Sequence, residues 1–194
     1  MAEIPAAELD ASQRRFYAGA STIEEEGTRF MLADLGDTLR ATRGRIQQVV
    51  DTWSQEQLWA QPPEGSVSPD GEDHWSATEA VTHLIATENW YRLHLWRLRG
   101  EKRMFDLMVR GLGDQAHNDI PKDTLSALLR EASDTLLSEI MSMPPDVDMT
   151  AQRDSTFFGM LSVRGWVYLA INHDLIHLAQ IERLKTYSNF PMTK

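Results

Sequence analysis

Apolar residues recur every three or four positions in four long stretches of this chain, separated by segments in which charge, proline and glycine predominate. In the first, Leu32, Leu35, Leu39, Ile46, Val49 and Trp53 share one stripe, which predicts a helix over about 28–55. Ser76 and Glu79 introduce the second. Their hydroxyl and carboxylate each satisfy an amide at a helix start, and this capping box predicts a helix over about 77–99 that stops at Gly100. Ala80, His83, Leu84, Thr87, Trp90, Tyr91 and His94 lie on its one broad face. Pro121 suits the opening of a third helix, where its missing N–H costs little, and Leu125, Leu128, Leu129, Ala132, Leu136, Leu137 and Ile140 continue it until Pro144-Pro145. The fourth stripe, Trp166, Ala170, His173, His177, Ile181 and Leu184, is widened by Leu169, Ile176 and Gln180 and predicts a helix from near Ser162 to about Tyr187.

The intervening segments read as connections. Turn formers crowd Gln61 to Gly71, and a polar loop holds Asp146, Asp148 and Arg153. The stretch Glu101 to Ile120 is ambiguous, because Met104, Phe105, Leu107 and Met108 suggest a helical extension that Gly111 and Gly113 interrupt. Residues 1–27 show a weak stripe and a capping-box pattern at Ser21-Thr22-Ile23-Glu24, which predicts a short helix or a loose arm. No segment alternates as a strand would. The expected class is therefore all-α: four amphipathic helices covering one another as a bundle over 28–190, preceded by an amino-terminal arm.

Composition narrows the chemistry. A length of 194 residues suits one domain large enough to bury most of its unfolded surface. The absence of cysteine excludes disulfides and every thiolate metal site, so any metal must sit on histidine and carboxylate. A net charge of −10 and a pI near 5.0 repel phosphate backbones and anionic lipid, so nucleic acid and membrane are not expected as partners. The longest apolar run, Trp166 to Ile171, is far too short to span a bilayer. Residues 1–9 lack the basic and apolar parts of a secretory leader, and a cytoplasmic location is expected.

The candidate chemistry lies in the histidines. His173 and His177, four residues apart, are neighbours on one helical face, and both imidazoles can reach one ion. His83, on the apolar face of the second helix, is the best third ligand. Three histidines would leave positions open for water or substrate, as at a catalytic centre. Spacing alone favours the plainer reading, since a histidine on an apolar face is more often a hydrogen-bonded core residue than a ligand. His94 lies eleven residues beyond His83, about 16 Å along the helix, so the two cannot share an ion; His74, His94 and His117 are left to surface or packing roles. The segment His173-Asp174-Leu175-Ile176-His177 is similar to a zinc-protease motif with aspartate where the general base would be glutamate, and the shorter side chain argues against that role. Paired Glu-x-x-His motifs for a di-iron bundle are absent. Asp174 and Glu88 are each open to a part in proton transfer, but ordinary solvation on a helix is the preferred reading and neither is assigned a catalytic role. Trp90, Tyr91, Trp166 and the Met104–Met108 connector are candidate pocket walls, although such stripes are more often core.

In order, Trp75-Ser76 leading a helix with His83-Leu84, then Val163-Arg164-Gly165-Trp166 and His173-Asp174-Leu175-Ile176-His177-Leu178-Ala179-Gln180-Ile181, resemble the DinB-like superfamily over about 28–187. The resemblance implies a four-helix bundle with a long crossover, a divalent metal such as nickel, zinc or iron on His83, His173 and His177, and a homodimer. Gln180 matches the family pattern and is read either as a support for the metal ligand or as packing. Members of the family are described as metal-dependent hydrolases or as transferases adding bacillithiol or mycothiol to electrophiles, with one branch isomerising maleylpyruvate. The expected function is thus a metal-dependent enzyme activating a small thiol or water against a small-molecule substrate, with thiol transfer slightly preferred. Any reacting sulfur must arrive on a low-molecular-weight thiol, since the chain has none. The alternative is a non-catalytic stress-response module that binds a metal or a small molecule.

Overall fold

In the computed structural model, which describes residues 2–66, 74–101 and 117–192, the order of elements is α1 (Ala6–Tyr17), α2 (Ile23–Thr28), α3 (Leu32–Thr52), α4 (Gln55–Trp59), α5 (Ala77–Leu98), α6 (Lys122–Met141), β1 (Arg153–Asp154), β2 (Met160–Leu161) and α7 (Val163–Leu184). The protein is all-α, and α3, α5, α6 and α7 are the four long helices that the apolar stripes predict. Their ends follow local chemistry. Ser76 and Glu79 form the expected capping box, with Glu79 N donating to Ser76 Oγ at 3.2 Å and Ser76 N to Glu79 Oε2 at 2.8 Å. At the far end of α5, Gly100 takes a φ of +76°, the left-handed conformation that ends a helix at little cost only for glycine. The first long helix is shorter than its stripe suggests. Ser54 and Gln57 make a second capping box that starts α4, so α3 ends at Thr52 and the next helix begins at Gln55.

Contacts divide the chain into two units. One comprises Met1–Thr42, Trp90–Asp106 and Asp134–His173; the other comprises Arg43–Asn89, Leu107–Ser133 and Asp174–Lys194. The second unit is organised by an apolar cluster to which α3 gives Ile46 and Val50, α5 gives Val81 and Leu84, α6 gives Leu125 and Leu129, and α7 gives Leu178 and Ile181. All are almost fully buried, as their three- and four-residue spacing requires.

In the first unit, residues 6–17 and 23–28 form α1 and α2. Their attachment is largely polar: Glu26, fully buried, accepts Arg15 Nε at 2.8 Å and Ser12 Oγ at 2.7 Å, and Ser12 Oγ also meets the Tyr168 hydroxyl at 2.6 Å. This explains the weak stripe in the sequence, because serine and glutamate hold positions that a hydrophobic pattern leaves blank. The capping box of α2 falls one residue later than Ser21-Glu24, on Thr22 and Glu25. Gly27 lies so close to α7 that a Cβ there would sit 2.8 Å from Arg164 O and 2.9 Å from Gly165 Cα.

A hairpin, β1 paired antiparallel with β2, corrects the expectation of no strand. Two-residue strands are too short for alternation to register. The turn is held by side chains, with Thr156 N donating to Asp154 Oδ1 at 3.0 Å and Phe158 N to Ser155 Oγ at 2.7 Å. The Met104–Met108 extension lies outside the described residues. Among the described residues, no helix is long and apolar enough to cross a membrane.

Candidate metal centre

The capping box at Ser76 sets the start of α5 and so places His83 about two turns into that helix. His173 and His177 stand one turn apart on α7. One ligand atom from each of His83, His173 and His177 can be chosen such that all three lie within 4.8 Å of one another. Helical periodicity accounts for two of the three, while the approach of His83 is set by packing. The His83 and His177 rings are 5.0 Å apart at an interplanar angle of 66°, and Trp75 lies against both, stacked on His177 at 5.7 Å and tilted to His83 at 4.9 Å. Tyr91 presents its ring to His173 at 6.2 Å.

The surroundings suit neutral imidazoles. His177 is buried, and burial together with the neighbouring His177 ring pushes the pKa of His83 down to about 4, so one ring nitrogen of His83 keeps its lone pair available at pH 7. His177 Nδ1 meets Gln180 Oε1 at 2.8 Å. With that oxygen accepting, Nδ1 carries the hydrogen and Nε2 keeps its lone pair, the arrangement that orients a ligating histidine. Of the two readings of Gln180, the contact supports the first.

Asp174 is not solvated. It is fully buried and takes a two-pronged contact from Arg43, Nε to Oδ2 at 2.5 Å and Nη2 to Oδ1 at 3.3 Å, with Glu88, also buried, 3.8 Å from Arg43 Nη1. These contacts correct the sequence reading of both acids, and they occupy the carboxylate that a protease-like general base would need. Arg43 is the residue sequence reasoning missed. Its position was informative, since it stands four residues after Leu39 and three before Ile46, within the apolar stripe of α3.

The other histidines stay apart from the three. His94 is buried and stacks on Trp166 with ring centroids 3.9 Å apart, His74 is exposed, and the backbone of His117 donates to Thr82 Oγ1 at 2.9 Å. Tyr91 and Trp166 are core residues, and Trp90 meets Trp166 edge-on at 4.8 Å.

Comparison with known proteins bears on the family and the fold. A family model described as the DinB superfamily matches residues 38–181, a span containing all three histidines. No curated protein matches the chain. A solved structure described as the crystal structure of TT2238, a four-helix bundle protein, is 22% identical, with 78% of this chain and 98% of that one covered at a TM-score of 0.56. That likeness establishes a four-helix bundle fold.

Proposed function

This chain belongs to the DinB superfamily, and on that premise we propose that His83, His173 and His177 hold a divalent metal ion at which a small thiol or water is made nucleophilic. The convergence of three imidazoles within 4.8 Å carries the reading. The donor set fits nickel, zinc or iron, for which neutral imidazole is a favoured ligand, and three protein nitrogens leave positions for a small molecule. When bound, such an ion lowers the pKa of an attached sulfur or oxygen toward neutrality.

The chain's own side chains orient and shield. Gln180 holds the His177 tautomer, Trp75 covers the His83 and His177 rings, and the Arg43–Asp174 pair fixes α7 between its two histidines. None of these residues is a nucleophile, so the reacting sulfur or oxygen belongs to the small-molecule partner. Thiol transfer to an electrophile is preferred to hydrolysis, with bacillithiol or mycothiol as the class of thiol. A cytoplasmic homodimer is the setting we propose.

Protein purified without an affinity tag and offered Ni²⁺, Zn²⁺ and Fe²⁺ should bind one ion per chain, and His177→Ala should abolish that stoichiometry. Metal-dependent conjugation of bacillithiol, mycothiol or glutathione to monochlorobimane would support the transferase. Failure to bind any of the three ions would overturn the reading, and tight binding of a small molecule without turnover would replace the enzyme by a binding module.

A further inference from the structure

A cavity of about 560 Å³ in the first unit is lined by His94, Arg97, Gly100, Glu101, Arg153 and Asp154. It is separate from the three histidines, because His94 follows His83 by eleven residues, about 16 Å along α5. Its volume is in the range of small-molecule sites.

On the His94 side the lining imidazole is backed by aromatic rings. The imidazole is stacked on Trp166 with an interplanar angle of 14°, and Trp90 meets both rings edge-on. His94 is only 8% exposed, yet its Nδ1 has no hydrogen-bond partner among the described residues. Burial and the adjacent positive charges of Arg97 and Arg153 push the pKa of His94 down to about 4, so the ring is neutral at pH 7.

Two cations and two anions complete the lining, but they are not equally engaged. Glu101 lies 3.3 Å from Arg99, and Asp154 Oδ1 already accepts the Thr156 amide of the hairpin turn. Neither Arg97 nor Arg153 has an ion-pair partner among the described residues. At Gly100 an added Cβ would meet nothing within 4 Å, so the floor there is open. The guanidinium groups favour an anion, and their planar donors match a carboxylate. The two acids oppose a multiply charged anion more strongly than a singly charged one.

We propose that this cavity is a second small-molecule site that takes a small organic monocarboxylate, its anionic end held by Arg97 and Arg153 and its apolar body against the His94 ring.

Benzoate titrated calorimetrically into the full chain at low ionic strength tests the assignment, with inorganic phosphate as the comparison. Benzoate should bind saturably and more tightly than phosphate, with the same affinity before and after metal is removed by chelation. Arg97→Gln and Arg153→Gln, both at exposed positions, should each weaken benzoate about tenfold while leaving metal stoichiometry unchanged. Asp154→Asn, which retains an oxygen for Thr156 N–H, should tighten it about threefold. Absence of saturable benzoate binding, equal binding by both arginine variants and the parent, or phosphate binding as tightly as benzoate would each overturn the proposal. None of these results depends on whether the three histidines bind metal.

Discussion

Arg43 donates through Nε to Asp174 Oδ2 at 2.5 Å, and neither side chain is more than 2% exposed. The pair ties the middle of α3 to α7 at the residue next to His173, within the same helical turn as His177. A guanidinium and a carboxylate removed from water are held there by mutual attraction, and each is costly without the other. Arg43→Ala should therefore destabilise the protein by about 3–5 kcal/mol, as read from the midpoint of urea unfolding. Replacing all three buried charges by apolar residues, Arg43→Met with Asp174→Leu and Glu88→Leu, should recover much of that loss. If the triple variant is no more stable than Arg43→Ala, the cost does not come from a stranded charge.

Gln180 acts on the proposed metal through His177. Gln180→Ala should preserve the stoichiometry of one ion while weakening affinity by about 10–100-fold in a chelator competition, the range expected for loss of a partner that orients a ligand. Gln180→Glu, which retains an accepting oxygen at that position, should restore most of the affinity. An unchanged affinity in the alanine variant would reduce Gln180 to packing.

Glu26 should make the protein acid-sensitive. Hydrogen bonds from Arg15 and Ser12 hold its pKa at about 2, well below the usual carboxylate value of 4.5. The unfolded chain binds the proton more readily than the folded one, so this stabilisation is present above about pH 4.5 and lost as the pH falls through 2. His94, buried and neutral, adds a loss of the same sign between pH 6.5 and about 4, because the unfolded imidazole takes up a proton that the folded one refuses. Glu26→Gln should remove roughly 2–3 kcal/mol at pH 7 and flatten the pH dependence of stability below pH 4.5.

Two helical glycines should respond to alanine with opposite sign. At Gly27 an added methyl meets the backbone of Arg164 and Gly165 at 2.8–2.9 Å, so Gly27→Ala should cost about 1–3 kcal/mol. At Gly44, inside α3, it meets nothing within 4 Å, and Gly44→Ala should stabilise the protein by about 0.5–1 kcal/mol. Thermal denaturation of the two variants measures both.

The legible parts of this protein were those governed by neighbours in sequence. Helical spacing set the four long helices, the Ser76–Glu79 box set where α5 starts, and four-residue separation put His173 beside His177. The pieces not legible were built from polar groups acting across the chain. The amino-terminal helices are held through Ser12, Glu26 and Tyr168, none of which contributes to an apolar stripe. Asp174 looked like an exposed helix residue because its partner is 131 positions away.

The sequence alone therefore determined the all-α class, the absence of any thiolate ligand and the placing of His173 and His177 on one helical face, since these depend on composition and on a periodicity of 3.6 residues. Only the tertiary structure decided that the ligand atoms of His83, His173 and His177 come within 4.8 Å of one another and that Arg43 neutralises Asp174 between the two α7 histidines. Distances between side chains on different helices are set by how those helices pack, and local periodicity carries no information about that packing.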